Sequence, residues 1–216
     1  AIRPMIALPM HPSNAFTIEE LNANLEDILH ACEQDVQKLI GRKDVSLDLC
    51  SKIENGKLRV DQGVIAGCAG GLYDSIYEAA SILKGHTGGC GDYALSVYPG
   101  SQPIMMELVR TGVIHDLMAS GATIRTAFCG PCFGAGDVPA NGALSIRHTT
   151  RNFPSREGSK PGNGQLSGVA LMDARSIAAT TANGGILTPA TDIDYDPTVP
   201  EYQYDASSYD TRVYQG

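Results

Sequence analysis

"LRVDQGVIAGCAGGLYDSIYEAASILKG", residues 58–85, is the stretch that decides the fold class. It opens with an apolar run that ends at Cys68, which is typical of a buried strand, and a glycine-rich turn follows. The remainder places Ile76, Ala80 and Leu83 on one stripe of a helix, with a glycine just after the last turn. Residues 58–85 are therefore predicted to fold as a strand, a tight turn and a helix.

The same alternation continues along the chain. Thr17 and Glu20 form a capping box that opens an amphipathic helix to Ile40. The spacing predicts further helices over 101–121, with Ile104, Leu108, Val109, Val113 and Leu117 facing inward, and over 171–184. It predicts further strands at 93–100, 122–129 and 142–150. Alternating strands and helices predict an α/β domain with a mostly parallel sheet and helices on its faces.

Composition excludes several classes of function. The 216 residues carry a net charge of −8, which disfavours nucleic acid as a partner. No apolar run approaches the roughly 20 residues of a membrane helix, so no membrane association is expected. The opening "AIRPMIALPMHPSN" has no signal-peptide pattern and no initial Met, which favours a cytoplasmic protein and a piece of a longer polypeptide. Arg147, Arg151 and Arg156 form a local basic cluster that suits a small anionic ligand or a solvated loop.

The six cysteines are expected to be reduced, buried or metal-bound in such a compartment. Cys32 and Cys50 are predicted to pack as small hydrophobic side chains, and Cys90 has no evident role. Cys68 and Cys129 fall at the carboxyl ends of predicted strands. Ligands bind at that edge of a parallel sheet.

"CGPC", residues 129–132, admits several kinds of chemistry. A dithiol redox site needs a helix from the second cysteine, and the glycine- and proline-rich run after Cys132 does not favour one. Structural zinc needs a second pair of ligands, for which His148 is the one candidate nearby. An iron–sulfur cluster held by Cys68, Cys129 and Cys132 is a third possibility, and cysteines without a cofactor are a fourth. Spacing alone leaves zinc, the cluster and purely structural cysteines open.

Four motifs in order carry a resemblance to a known family. "GCAGGLYD" (67–74), "YPGSQPI" (98–104), "AFCGPCFGAG" (127–136) and "TTRNFPSREG" (149–158) resemble the third domain of aconitase-superfamily hydratases over residues 1–190. The resemblance implies a three-layer α/β/α sandwich with a short, mostly parallel sheet. It implies that Cys68, Cys129 and Cys132 hold a [4Fe-4S] cluster, and that Arg151 and Arg156 bind substrate carboxylates.

The chain departs from the family pattern at several positions. The family usually has G-S-C-T-N where residues 66–70 are A-G-C-A-G, an Asn where Thr150 stands, and a Gly where Ser155 stands. Side-chain groups that would hydrogen-bond cluster sulfurs are therefore missing around Cys68, and outer contacts of this kind tune a cluster. These departures indicate a divergent hydratase branch and not citrate aconitase proper.

The resemblance implies that the chain is part of a [4Fe-4S]-dependent hydro-lyase for a di- or tricarboxylic hydroxy acid. Residues 1–190 would form the aconitase-like domain, and 191–216 an acidic Tyr- and Asp-rich extension toward a swivel domain. The partners implied are a small carboxylic acid and the remaining domains of the same enzyme, which supply the proton-transfer groups. The isolated fragment is therefore expected to be inactive. The alternatives are a cluster-free binding or regulatory domain, or a thiol–disulfide oxidoreductase using Cys129 and Cys132.

Overall fold

A computed structural model describes residues 2–88 and 91–212 of the chain. Cys90, for which the sequence indicates no role, and the last four residues of the tail lie outside the described residues. In chain order the strands are β1 (Met5–Ala7), β2 (Ala15–Thr17), β3 (Ile53–Glu54), β4 (Lys57–Leu58), β5 (Gln62–Ile65), β6 (Ala94–Val97), β7 (Thr123–Ile124), β8 (Leu144–His148) and β9 (Gly168–Met172). The α-helices are α1 (Ile18–Ala23), α2 (Leu25–Ile40), α3 (Gly67–Gly70), α4 (Tyr73–Leu83), α5 (Gln102–Arg110), α6 (Val113–Ala119), α7 (Ala174–Ala182) and α8 (Ser207–Asp210).

The main sheet has seven strands in the order β2-β1-β9-β8-β5-β6-β7. The five strands from β9 to β7 run parallel, and β1 lies antiparallel to both β9 and β2. A two-stranded ribbon, β3 with β4, stands apart. Helix α4 packs against α7 and α6, and α7 packs against β5 and β8. The predicted α/β/α sandwich with a mostly parallel sheet is confirmed.

The quoted stretch forms the centre of this sheet. β5 pairs with β8 on one side and β6 on the other, so its residues Val64 and Ile65 are fully buried. The one-turn helix α3 follows it, and α4 then buries Ile76 and Leu83. The predicted strand was longer than the observed one, because its first residues form β4 and a turn.

Two long predicted helices are each broken in two. The capping box of Thr17 and Glu20 is present, but Asn24, at φ −134° and ψ 41°, ends α1 and begins α2. Gly112, at φ 80°, separates α5 from α6. Val109, in the last turn of α5, is 57% exposed, so its predicted inward position was wrong.

Other boundaries also differ from the sequence predictions. The strand predicted over 122–129 is short, and only β7 pairs with β6. Leu171 and Met172 belong to β9 and not to the following helix, which begins after the N-cap Asp173. The tail beyond residue 190 packs Tyr195, Val199 and Tyr202 against the core. The ring of Tyr202 lies 5.4 Å from that of Tyr73.

Within residues 2–88 and 91–212, no helix combines the length and the apolar composition that crossing a membrane requires.

Glycines let the loops after β5 and β6 cross at close range. The amide of Gly100 donates to the carbonyl of Gly71 at 2.7 Å. A Cβ on Gly71 would lie 2.6 Å from the Gly100 nitrogen and 2.6 Å from the Gly67 carbonyl oxygen. Real Cβ atoms do not approach backbone atoms this closely. The two loops therefore stay in register only with glycine at position 71.

We predict that Gly71→Ala destabilises the fold by about 1–3 kcal/mol or more, because the clash is with backbone and not with a flexible side chain. Gly162→Ala is the matched control, since a Cβ there has no neighbour within 4 Å and the backbone is not left-handed. Denaturant unfolding of both variants measures the difference. Equal stability of the two would contradict the tight crossing.

Candidate cysteine site at the carboxyl edge of the sheet

Three cysteines meet where the parallel strands end. Cys68 lies on α3, just after β5, with its side chain exposed. Cys129 is exposed, and Cys132 is buried at the end of a 3₁₀ helix, Gly130–Cys132, which follows β7. The helix α3 contacts this 3₁₀ helix. We call the region formed by Cys68, Cys129 and Cys132 the cysteine edge.

The thiols of the cysteine edge influence one another. Burial raises the pKa of Cys132, and Cys129 and Cys68 raise it further, while the backbone amide of Thr150 opposes the rise. An N–H donor near a sulfur atom stabilises the thiolate and therefore lowers the pKa of the thiol. All three cysteines are free thiols.

The spread of the sulfurs does not suit a single metal ion. A tetrahedral zinc site holds its sulfurs about 3.8 Å apart, because Zn–S bonds are about 2.3 Å. Among the described residues, the one group whose ligand atoms all lie within 4.8 Å of one another is His30, Glu33 and Cys50, and the cysteine edge does not meet that limit. A mononuclear site at the cysteine edge would require the thiols to move closer.

Gly67 brings backbone against the buried sulfur. Its φ is +71°, and a Cβ at this position would lie 2.8 Å from Sγ of Cys132. Both the conformation and the space therefore favour glycine. Two phenyl rings, Phe128 and Phe133, meet edge to face at 6.0 Å beside the same 3₁₀ helix, and each is half exposed.

The loop after β8 carries the two predicted carboxylate-binding arginines. Thr150, whose amide faces Cys132, directly precedes Arg151, which is exposed. Arg156 is half-buried, and its Nε atom is buried with no hydrogen-bond partner among the described residues. Asn152 fixes the loop by donating to the carbonyl of Leu8 at 2.7 Å. The structure thus places Arg151 next to the cysteine edge.

Arg151 and Arg156 differ from the other arginines in their charge partners. Neither forms an ion pair with any described residue, whereas most exposed arginines do. The paired arginines are Arg3, Arg42, Arg59, Arg110, Arg125 and Arg175. Guanidinium groups that are left unpaired are available to a carboxylate ligand.

Arg147 does not belong to this loop, so the predicted three-arginine cluster was wrong. It lies on β8 with 1% of its surface exposed, because β8 is paired on both sides and consecutive residues on both of its faces are buried. Burial lowers its pKa to about 10.

Tyr98 and Asp137 form a pair that the sequence did not reveal. Tyr98 follows β6 and donates to Oδ2 of Asp137 at 2.5 Å, and Ser96 donates to the other oxygen at 3.0 Å. Burial, and then Asp137, raises the pKa of Tyr98 to about 12. The only sequence signal was the position of Tyr98 at a strand end, since Asp137 lies in a glycine-rich run without periodicity.

His148 is bound to the fold through one of its two ring nitrogens. Its Nδ1 accepts from the backbone amide of Ala174 at 3.1 Å, at the first residue of α7. Burial lowers the pKa of His148. Among the described residues, His148 belongs to no group of three ligands whose atoms lie within 4.8 Å of one another, so the zinc interpretation is not favoured.

Cys32 and Cys50 lie away from the cysteine edge. Cys32 is 3% exposed and donates to the Pro9 carbonyl at 3.1 Å, which confirms the predicted packing role. Cys50 is half-buried, and burial together with Glu33 raises its pKa to about 11. Glu33 accepts from the amides of Leu49 and Cys50, so its carboxylate is used as a cap for the 3₁₀ helix Cys50–Lys52.

Comparison of the sequence with known proteins points to one family. The sequence model of the Aconitase family (aconitate hydratase) matches residues 1–179. The chain belongs to the aconitase family. Similar curated proteins are each named 3-isopropylmalate dehydratase large subunit. That of Thermoanaerobacter sp. (strain X514) is 30% identical over 181 residues, 82% of this chain and 34% of the relative. That of Desulfitobacterium hafniense (strain Y51) is 35% identical over 127 residues, 58% and 30% respectively.

A third relative, from Mycolicibacterium smegmatis (strain ATCC 700084 / mc(2)155), is 34% identical over 140 residues, 64% of this chain and 32% of the relative. The chain thus spans about a third of the length of these relatives. Their printed name is that of a dehydratase subunit, and what the chain shares with them is membership of the aconitase family.

The residues of the cysteine edge fit the iron–sulfur cluster that the family implies. Thiolates are the ligands such clusters take, and hydrogen bonds to sulfur tune them. The backbone amide of Thr150 lowers the pKa of the Cys132 thiol, and a backbone group is unaffected by the Asn-to-Thr departure at this position. A Cβ at Gly67 would lie 2.8 Å from Sγ of Cys132, so glycine at this position lets the segment that carries Cys68 approach the buried sulfur.

Acid should weaken the fold through His148. The folded pKa is lowered, so the unfolded state binds more protons and stability falls with falling pH. The loss should begin near the unfolded pKa of about 6.5 and grow toward pH 5. His148→Gln keeps an acceptor for Ala174 but does not titrate, so its unfolding free energy should vary less between about pH 7 and pH 5. Parallel pH profiles for the two proteins would contradict this assignment.

Proposed function

We propose that this chain supplies the iron–sulfur domain of a [4Fe-4S]-dependent hydro-lyase, with Cys68, Cys129 and Cys132 as the three cluster ligands. The observation that carries the proposal is the meeting of these thiols with the loop of Arg151 and Arg156 at one sheet edge. When bound, a cluster with three protein ligands supplies a Lewis-acidic iron at its open corner. The chain's own residues would hold the cluster, orient the substrate and shield both from solvent.

The arginines are proposed to bind substrate carboxylates. A guanidinium accepts a carboxylate through two parallel hydrogen bonds and stays charged at any working pH. Arg151 is exposed beside the cysteine edge, and the Nε atom of Arg156 is buried without a described partner. Two such groups suit a di- or tricarboxylic hydroxy acid, the substrate class we propose.

Proton transfer is proposed to come from outside this chain. The titratable groups close to the cysteine edge are already bound: Tyr98 donates to Asp137, and His148 accepts from the backbone. We therefore propose that the remaining domains of the enzyme complete the site, that residues 1–190 form its aconitase-like unit, and that the fragment alone is inactive. A cytoplasmic location is part of the same proposal.

Thiol–disulfide exchange is less well supported by the geometry. A redox CxxC motif leads into a helix at its second thiol. Here a single 3₁₀ turn ends at Cys132, and among the described residues no helix follows it before β8.

Single Cys→Ser replacements test the ligand assignment. After anaerobic reconstitution with iron and sulfide, the full-length protein should show the broad visible absorption of a [4Fe-4S] cluster. We expect Cys68→Ser, Cys129→Ser and Cys132→Ser each to lose most of it, because a serine oxygen is a poor substitute for a thiolate.

Cys50→Ser is the matched control and should retain the cluster, since Cys50 lies by Glu33 on another face. No absorption from the unaltered protein would favour a cluster-free binding domain. A disulfide that cycles between Cys129 and Cys132, with Cys68 dispensable, would favour the oxidoreductase.

Arg151→Lys should weaken substrate or transition-state binding by about 1.5–3 kcal/mol, because lysine keeps the charge but loses the fork. Arg42→Lys is the control, since Arg42 pairs with Asp44 on the surface at the end of α2. Steady-state kinetics of the full-length enzyme and its melting temperature are the measurements. Unchanged kinetics in Arg151→Lys and Arg156→Lys would show that both arginines are only loop charges.

A further inference from the structure

Arg147 is a fully buried cation whose hydrogen bonds cross from the sheet to the loop of Cys129 and Cys132. Its Nη1 donates to the carbonyl of Pro131 at 2.7 Å, and its Nη2 donates to the carbonyl of Asp137 at 2.6 Å. These two carbonyls lie on either side of Cys132 in the chain. One rigid, planar group therefore holds the loop at two points.

The guanidinium is itself held by the two central strands. Nε donates to Oγ of Ser145 on β8 at 2.9 Å, and Nη2 donates to Oε1 of Gln62 on β5 at 3.2 Å. Ser145 also donates to Gln62 at 2.7 Å, across the parallel pairing of the two strands. These contacts with β5 and β8 orient the guanidinium of Arg147 independently of its contacts with the loop.

This arrangement links the two parts of the cysteine edge. β5 leads directly into α3, which carries Cys68, and Gln62 is the first residue of β5. The loop that Arg147 holds carries Cys129 and Cys132. The side chain therefore sets the position of two thiols against the strand that delivers the third.

The surroundings of Arg147 make a mere packing role a poor explanation. Burying a cation is costly unless acceptors and countercharges surround it. Asp137 and the buried Glu157 supply the negative charge, and Cys132 lies within the same electrostatic field. Each nitrogen of the guanidinium has an acceptor at hydrogen-bond distance. An apolar side chain could fill the space but could not hold two loop carbonyls.

We propose that Arg147 is a positioning residue that fixes the Cys129–Cys132 loop so that its thiols face Cys68. The claim that this positioning helps to bind a cluster rests on the proposed function, whereas the claim that Arg147 holds the loop does not.

Alkylation rates of individual cysteines test the proposal. They would be measured by mass spectrometry on the native, cluster-free full-length protein. In Arg147→Gln, alkylation of Cys132 should accelerate about ten-fold, equivalent to about 1.4 kcal/mol of loop opening. Cys32 is the internal control, because it is similarly buried but lies on α2 and donates to the Pro9 carbonyl, with no contact to Arg147. Its rate should not change.

Two further variants separate the interpretations. Arg147→Lys keeps the charge and can reach one carbonyl, so the Cys132 rate should lie between those of the unaltered protein and Arg147→Gln. Arg125→Gln should leave the Cys132 rate unchanged, since the half-exposed guanidinium of Arg125 pairs with the Asp137 carboxylate and not with a loop carbonyl. If Arg147→Gln does not fold, the ratio of the Cys132 and Cys32 rates in Arg147→Lys decides.

The proposal is overturned if the Cys132 rate is unchanged, or if Cys32 accelerates equally, which indicates general destabilisation. Reconstitution supplies the readout on the cluster itself: Arg147→Lys should alter its electron paramagnetic resonance signal, while Arg125→Gln should not. If the unaltered protein forms no cluster but the alkylation pattern holds, the proposed function fails and the positioning role stands.

Discussion

Parallel pairing of β5 with β6 and β8 is the constraint on which the rest of the structure depends. Parallel strands deliver their following loops to the same edge, so the segments after β5, β6, β7 and β8 compete for one small volume. Backbone must then pass close to backbone. Gly67, Gly71 and Gly100 make that possible, and the buried thiol of Cys132 fills the space left beside Gly67. The cysteine edge therefore depends on the parallel order of the strands and on glycine, without a Cβ atom, at positions 67, 71 and 100.

Sequence reasoning succeeded where the signal is local. The Thr17–Glu20 capping box, the stripe of Ile76, Ala80 and Leu83, and the packing of Cys32 all follow from short-range patterns, and the structure has them. It failed where tertiary context decides. Nothing in residues 17–40 marks Asn24 as a break, and Arg147 resembles a loop arginine until pairing of β8 between β9 and β5 buries it. The meeting of Cys68 with a motif 60 residues later required the topology or the resemblance, since spacing left zinc and structural cysteines open.

The loop after β8 shows how a departure from the family pattern is tolerated. Ser155 stands where the family usually has glycine, and its φ is +60°. A left-handed conformation costs a non-glycine residue about 1 kcal/mol. The neighbouring residues hold the loop regardless: Asn152 donates to Leu8, and the buried Glu157 accepts from Ser167 at 3.2 Å. Contacts with Leu8 and Ser167, which lie outside the motif, thus maintain the backbone path that brings the Thr150 amide near Cys132.

The distribution of charge is compatible with the carboxylate ligand proposed for this acidic chain. The net charge of −8 repels a carboxylate at long range, but the Debye length of about 8 Å in physiological salt limits that repulsion to the nearest surface. What a ligand meets at the cysteine edge is therefore decided by local groups. Arg151 and Arg156 have no described carboxylate partner, while the acidic Asp137 and Glu157 are bound to hydroxyls and lie near the buried Arg147. Because those carboxylates are neutralised inside the fold, the exposed Arg151 and the half-buried Arg156 are the cations that an approaching anion would meet.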